Sequence, residues 1–287
     1  MGAHRVKNEG PDAQRPCVAS RRTPTGAKGS WWSSNPGKAA AERFYLIYSP
    51  IWIALVGLVM LSGMYRSWGD AGFMLFGLGA AAPLVFVPYL APRPEDANKP
   101  AWATSWFRLN LWIGIFVFVG SYFFTHYFFD VVGMRYAFPT SWNGSAELVG
   151  DSEGQVPLFL YPLTQAYFMT YHVAVTVLLR YLSTRFVLGR VAKAALIVAL
   201  AYLVAFAETF FMAVPLLADV FEYADRGRML VWGSMFYGSF FVISVPVFAT
   251  IDEDEPWTLG RTALSALGVS MAVFIVLDLW AKLLGPL

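Results

Sequence analysis

The run AALIVALAYLVAFAETFFMAVPLL, residues 194–217, holds one ionisable side chain, Glu208, in 24 positions. A helix needs about 20 predominantly apolar residues to cross the hydrocarbon core of a bilayer. The run therefore predicts a transmembrane helix with a carboxyl inside it. Six further stretches meet the same criterion, at about 44–64, 71–91, 108–129, 158–180, 229–250 and 263–284. The expected fold is all-α, a polytopic membrane helix bundle with about seven transmembrane helices. Pro50, Pro83, Pro88, Pro215 and Pro246 fall inside the spans, where membrane helices tolerate proline because neighbouring groups re-satisfy the freed backbone.

Composition points the same way. The chain has 287 residues, 57% hydrophobic and 14% charged, against roughly 45–50% and 25% for a soluble domain. The net charge of +2 and the lack of a basic face argue against nucleic acid as a partner. The lone Cys17 excludes an intrachain disulfide and any Cys-based zinc or iron–sulfur site. Residues 1–40 are rich in Arg, Lys, Ser, Gly and Pro and lack the apolar core of a secretory signal. They predict a disordered basic cytosolic tail ahead of a transmembrane catalytic domain over residues 41–287, with a transit peptide as the other reading. Sixteen of the Lys and Arg residues lie in the tail and the even-numbered connections, and five lie in the odd-numbered ones or near the C-terminus. The positive-inside rule then puts the N-terminus inside and the C-terminus outside. Asn143-Gly144-Ser145, in the longest outer connection, forms a glycosylation sequon.

Four ionisable residues fall within the spans: His126, His172, Glu208 and Asp278. Placing an acidic or basic group at a helix centre costs roughly 2.5–3.5 kcal/mol on insertion scales, so function is the first explanation to test for each. Glu208 has no basic residue within a turn and is expected to keep its proton, which makes it a candidate general acid. The alternative is a neutral carboxyl that hydrogen-bonds a neighbouring helix. His126 is followed four residues later by Asp130, a spacing that puts both on one helical face and lets a carboxylate orient an imidazole. The competing reading is an interfacial histidine in an aromatic belt. His172, beside Tyr171, is either a proton carrier, a hydroxyl-binding group or an interhelical hydrogen bond. Asp278 has Lys282 four residues on, the spacing of an intrahelical ion pair.

Two cofactor readings fail on position. His126 and His172 differ too much in depth to flank one haem iron. Lys282, five residues from the C-terminus, sits at the interface and not in a retinal pocket. No cofactor and no metal are expected, and nothing in the sequence points to an obligatory protein partner.

The unusual segments, in order, are Asn35-Pro36-Gly37-Lys38, Tyr48-Ser49-Pro50-Ile51-Trp52, Asn110-Leu111-Trp112 and Thr125-His126-Tyr127-Phe128-Phe129. Phe138-Pro139, Tyr171-His172-Val173, Glu208-Thr209, Asp225-Arg226, Phe236-Tyr237, Asp278-Leu279-Trp280 and Gly285-Pro286 complete the series. Spread over about 250 residues, the series resembles the cycloeucalenol cycloisomerase family. The chain departs from that pattern in a longer basic tail, a longer loop at residues 146–155, and Gln165 at a position where the family pattern has histidine.

The resemblance implies a multi-pass membrane isomerase that opens the 9β,19-cyclopropane of a sterol without a cofactor, with the sterol and the bilayer as its partners. On that basis Glu208 is expected to give the proton and His126, oriented by Asp130, to act as base or relay. Those two roles are interchangeable. Tyr171 or His172 is expected to meet the sterol 3-hydroxyl, and Asp278 is the weakest candidate. A eukaryotic host implies the endoplasmic reticulum membrane, a bacterial one the cytoplasmic membrane. A proton-coupled transporter and a retinal-binding photoprotein are the alternatives.

Overall fold

The computed structural model describes residue 2 and residues 29–147 and 154–285. Cys17 and most of the expected tail lie outside the described residues. Among the described residues, seven helical stretches run the length of the bundle. They are α1 (Pro36–Ser62), α2 (Asp70–Leu90), α3 (Ser105–Val119) with α4 (Thr125–Val132), α5 (Leu160–Phe186), α6 (Arg190–Met212), the single-turn α7 (Arg226–Arg228) with α8 (Ser234–Phe248), and α9 (Leu259–Leu284). A π-helical turn, Gly120–Phe124, joins α3 to α4, and a second, Met229–Gly233, joins α7 to α8.

The first helix, α1, begins at Pro36. Asn35 caps α1, its side-chain oxygen accepting from the Gly37 and Lys38 amides, and Pro36 occupies the first turn, where its missing N–H costs nothing. Upstream of the cap, Trp31 stacks on Tyr181 at 3.9 Å, and the Ser33 amide donates to Glu42. The other end of α1 stops at Gly63, whose φ of 68° is the left-handed conformation that closes helices.

Six of the seven stretches are long and apolar enough to cross a membrane, and the protein is an integral membrane protein. The exception is α5, which carries Thr164, Gln165, Thr170, His172, Thr176 and Arg180. It packs against α1, α2, α3, α6 and α8, so its polar groups meet protein more than lipid. By contrast, α1 exposes Ile47, Ile51, Leu55 and Leu58, and α9 exposes Leu264, Leu267, Met271, Ile275 and Leu279, at helical spacing on the outer surface.

One end of the bundle is held by buried charge. Arg180 on α5 donates to Glu42 on α1 at 2.9 Å and to Glu253 at 3.0 Å; Lys38 reaches Glu253 at 2.8 Å, and Arg108 on α3 reaches Asp252 at 2.7 Å. Ser105 and the Trp257 amide also donate to Asp252. Three of the cations that set the charge bias are thus spent on tying α1, α3 and α5 to the connection between α8 and α9.

At the opposite end lie two short ribbons, β1 (Met134–Tyr136) with β4 (Phe221–Tyr223), and β2 (Asn143–Gly144) with β3 (Val156–Pro157). The Asp70 carboxylate anchors the intervening loop by accepting from Thr140 and Ser141. Asn143, the sequon residue, donates through its side-chain amide to the Thr140 carbonyl.

Burial pushes the Glu253 carboxyl up, but hydrogen bonding and charge from Lys38, with Arg180, hold it below the usual range. A lowered folded value means this contribution is complete above about pH 4.3 and is lost as pH falls through the folded value. In detergent, Glu253→Gln should flatten the acid limb of the melting temperature against pH. Arg180→Ala, which strands Glu42, should lower unfolding stability by about 3 kcal/mol.

Candidate active site

Between the aromatic centre of the bundle and the β1–β4 ribbon lies a cavity with an empty volume of about 1160 Å³, its open mouth included. Phe116, Phe124, Phe128, Phe168 and Phe240 wall it, and Met134, Tyr136, Phe221 and Tyr223 roof it. The roof follows from strand alternation: these four point inward, while the intervening Arg135 and Glu222 pair at 3.7 Å on the outside. The π-helical turn supplies Gly120, Ser121 and Phe124 to the lining. Such turns recur at functional sites because one extra residue re-aims the side chains around it.

Glu208 is the sole carboxyl among the described residues that line this space, and no histidine, lysine or arginine joins it. The small residues Ala201, Ala205 and Thr209 form the buried face of α6, which packs closely on α8. One position before Thr209, about 100° round the helix, Glu208 turns into the cavity. Tyr237 on α8 donates to its Oε2 at 2.6 Å, and Tyr171 on α5 lies near enough to act on the same carboxyl. Tyr136, Tyr167 and Tyr223 are near enough to feel its charge. Burial, followed by Glu208, pushes the Tyr136 phenol well up; burial, followed by Tyr136 and Glu208, does the same for Tyr223. Both roof phenols stay protonated at neutral pH and are hydrogen-bond donors.

A relative from Arabidopsis thaliana, "Cycloeucalenol cycloisomerase", is 37% identical over 265 residues, covering 90% of this chain and 90% of the relative. The chain belongs to the cycloeucalenol cycloisomerase family. It is therefore an isomerase. No family model matches the chain, and no solved structure matches it.

Within this family member the expected site residues separate. Glu208 lines the cavity and Tyr171 supports it from behind. His126 is buried but does not line the cavity. Its Nε2 accepts from the Ala146 amide at 2.9 Å, and Nδ1 has no hydrogen-bond partner among the described residues. Asp130 acts on that ring by charge without hydrogen-bonding it. The physical reason is rotation: Phe128 faces the cavity, and His126, two residues earlier, lies about 200° away round the helix.

His172 is fully buried and outside the lining. Its Nδ1 meets the Phe168 carbonyl at 2.8 Å within α5, and its Nε2 meets the Ser244 hydroxyl at 2.7 Å, so both nitrogens are engaged and the second joins α5 to α8. The helix runs on to Phe186, six residues beyond the expected end. Asp278 pairs with Lys282 at 2.6 Å and accepts from Tyr127 at 3.4 Å; the Lys282 side chain is 70% exposed, which removes the retinal alternative. Sequence reasoning missed Tyr136, Tyr167, Tyr223 and Tyr237 as site groups. The Phe236-Tyr237 pair was the one available signal, and it reads as ordinary core.

Ala205→Leu should overpack the α6–α8 contact. The expected result is a loss of about 1–3 kcal/mol in detergent unfolding, together with reduced turnover as Glu208 shifts away from Tyr237.

Proposed function

We propose that the protein opens the 9β,19-cyclopropane of a cyclopropyl sterol, cycloeucalenol to obtusifoliol, in sterol biosynthesis, with Glu208 as proton donor. The relative's name supports the substrate class. The observation that carries the chemistry is one carboxyl, held by Tyr237, in an aromatic-walled cavity. The host membrane is the endoplasmic reticulum in a eukaryote and the cytoplasmic membrane in a bacterium.

In this scheme the Glu208 proton adds to C19 as the C9–C19 bond breaks, the bond's electron pair forming the new C–H bond of a methyl group. Positive charge develops at C9. A proton then leaves C8, and the C8–H pair becomes the 8,9 double bond. One proton enters and one leaves, so the formula and the oxidation level are unchanged. The Tyr237 phenol stabilises the carboxylate left after protonation, which favours transfer to a weakly basic carbon. The faces of the walling phenylalanines attract the cation, and a dry cavity keeps water from capturing it. The Tyr136, Tyr167 and Tyr223 phenols and the Thr125 and Thr164 hydroxyls are the partners available to the sterol 3-hydroxyl.

Purified protein supplied with sub-saturating cycloeucalenol in D₂O, so that Glu208 exchanges with solvent between turnovers, should yield an isomeric product with up to one deuterium in the new methyl group. Glu208→Gln should reduce the rate at least about 10²-fold, the lower range for loss of a general acid. A near-normal rate in that variant removes the assignment.

A further inference from the structure

Opening the ring needs a group that gives a proton and a group that takes one, and the cavity offers one carboxyl and several phenols. We propose that Glu208 does both: it delivers its proton to C19, accepts the C8 proton as the carboxylate, and carries that proton to the next substrate molecule. The inference rests on the sterol reading above.

Three observations support it. Among the described residues Glu208 is the only lining group other than the tyrosines that titrates, and the roof phenols Tyr136 and Tyr223 are held protonated by burial, which removes them as bases. The histidine expected to be the base is turned out of the cavity and occupied by the Ala146 amide. The reacting atoms also suit a single group. C19 and C8 are both bonded to C9, so the proton arrives and departs one bond either side of the same carbon, a gap that the two oxygens of one carboxyl can span.

Tyr237 has a specific part in this scheme. By donating to Oε2 at 2.6 Å from α8, it fixes the carboxyl's rotation and holds the charged form between the two transfers. It is a positioning residue, since it acts through Glu208. Each step balances: the carboxyl returns to its starting protonation state every cycle without a second acid, base or solvent proton.

The test uses wild-type protein in ordinary water and substrate deuterated at C8. At saturating sterol, deuterium lost from one molecule should appear in the C19-derived methyl of later product molecules, in a fraction that rises with substrate concentration. Conversion with no deuterium in that methyl at any concentration overturns the one-carboxyl scheme while leaving the sterol reading intact. No conversion of unlabelled substrate overturns both. Tyr237→Phe should lower kcat roughly 10- to 100-fold, the worth of one hydrogen bond to a charged group, with KM unchanged and label transfer diminished. An unchanged kcat, or a rise in KM alone, removes Tyr237 from the positioning role.

Discussion

The Tyr237–Glu208 hydrogen bond is the constraint around which the cavity end of the bundle is organised. A carboxyl deep in a bilayer is expensive unless its lone pairs are satisfied by protein. Here α8 supplies that satisfaction through Tyr237. That arrangement requires α6 and α8 to approach closely, which the small face Ala201, Ala205 and Thr209 allows. It also leaves the carboxyl presented to an aromatic-walled cavity.

Polarity is divided by position. Apolar side chains at helical spacing cover the lipid-facing surface of α1 and α9, ion pairs lock one end, and an ordered loop with two short ribbons closes the other. The locked end keeps α1, α3 and α5 in register with the α8–α9 connection. With that end fixed, the two π-helical turns, both towards the cavity end of their helices, can distort without unfolding the bundle. A rigid base and a shaped, aromatic upper half suit an enzyme that must hold a stiff polycyclic lipid against one proton donor.

Much of this was legible in the sequence, for a physical reason: hydrocarbon imposes length and composition on every lipid-facing helix, so six spans announce themselves by hydropathy. Even α5, whose polar residues weaken that signal, emerges from its remaining apolar run. Glu208 was legible because a lone carboxyl in a long apolar run is conspicuous. The tyrosine collar was not, since Tyr136, Tyr167, Tyr223 and Tyr237 converge from four elements and each reads alone as interface or core. The i,i+4 spacing of His126 and Asp130 correctly places both on one face, but spacing cannot tell which way that face turns. The inner-end clamp escaped notice because Lys38, Arg108 and Arg180 look like ordinary positive-inside residues until Glu42, Asp252 and Glu253 are seen against them.

The central claim is that the substrate's reacting carbon meets Glu208. A cryo-electron microscopy structure of the Glu208→Gln protein with a cyclopropyl sterol bound tests it most directly. The account predicts the cyclopropane methylene against the residue-208 side chain, beneath the Tyr136 and Tyr223 roof. A sterol bound with its three-membered ring against His126, or outside this cavity altogether, would contradict it.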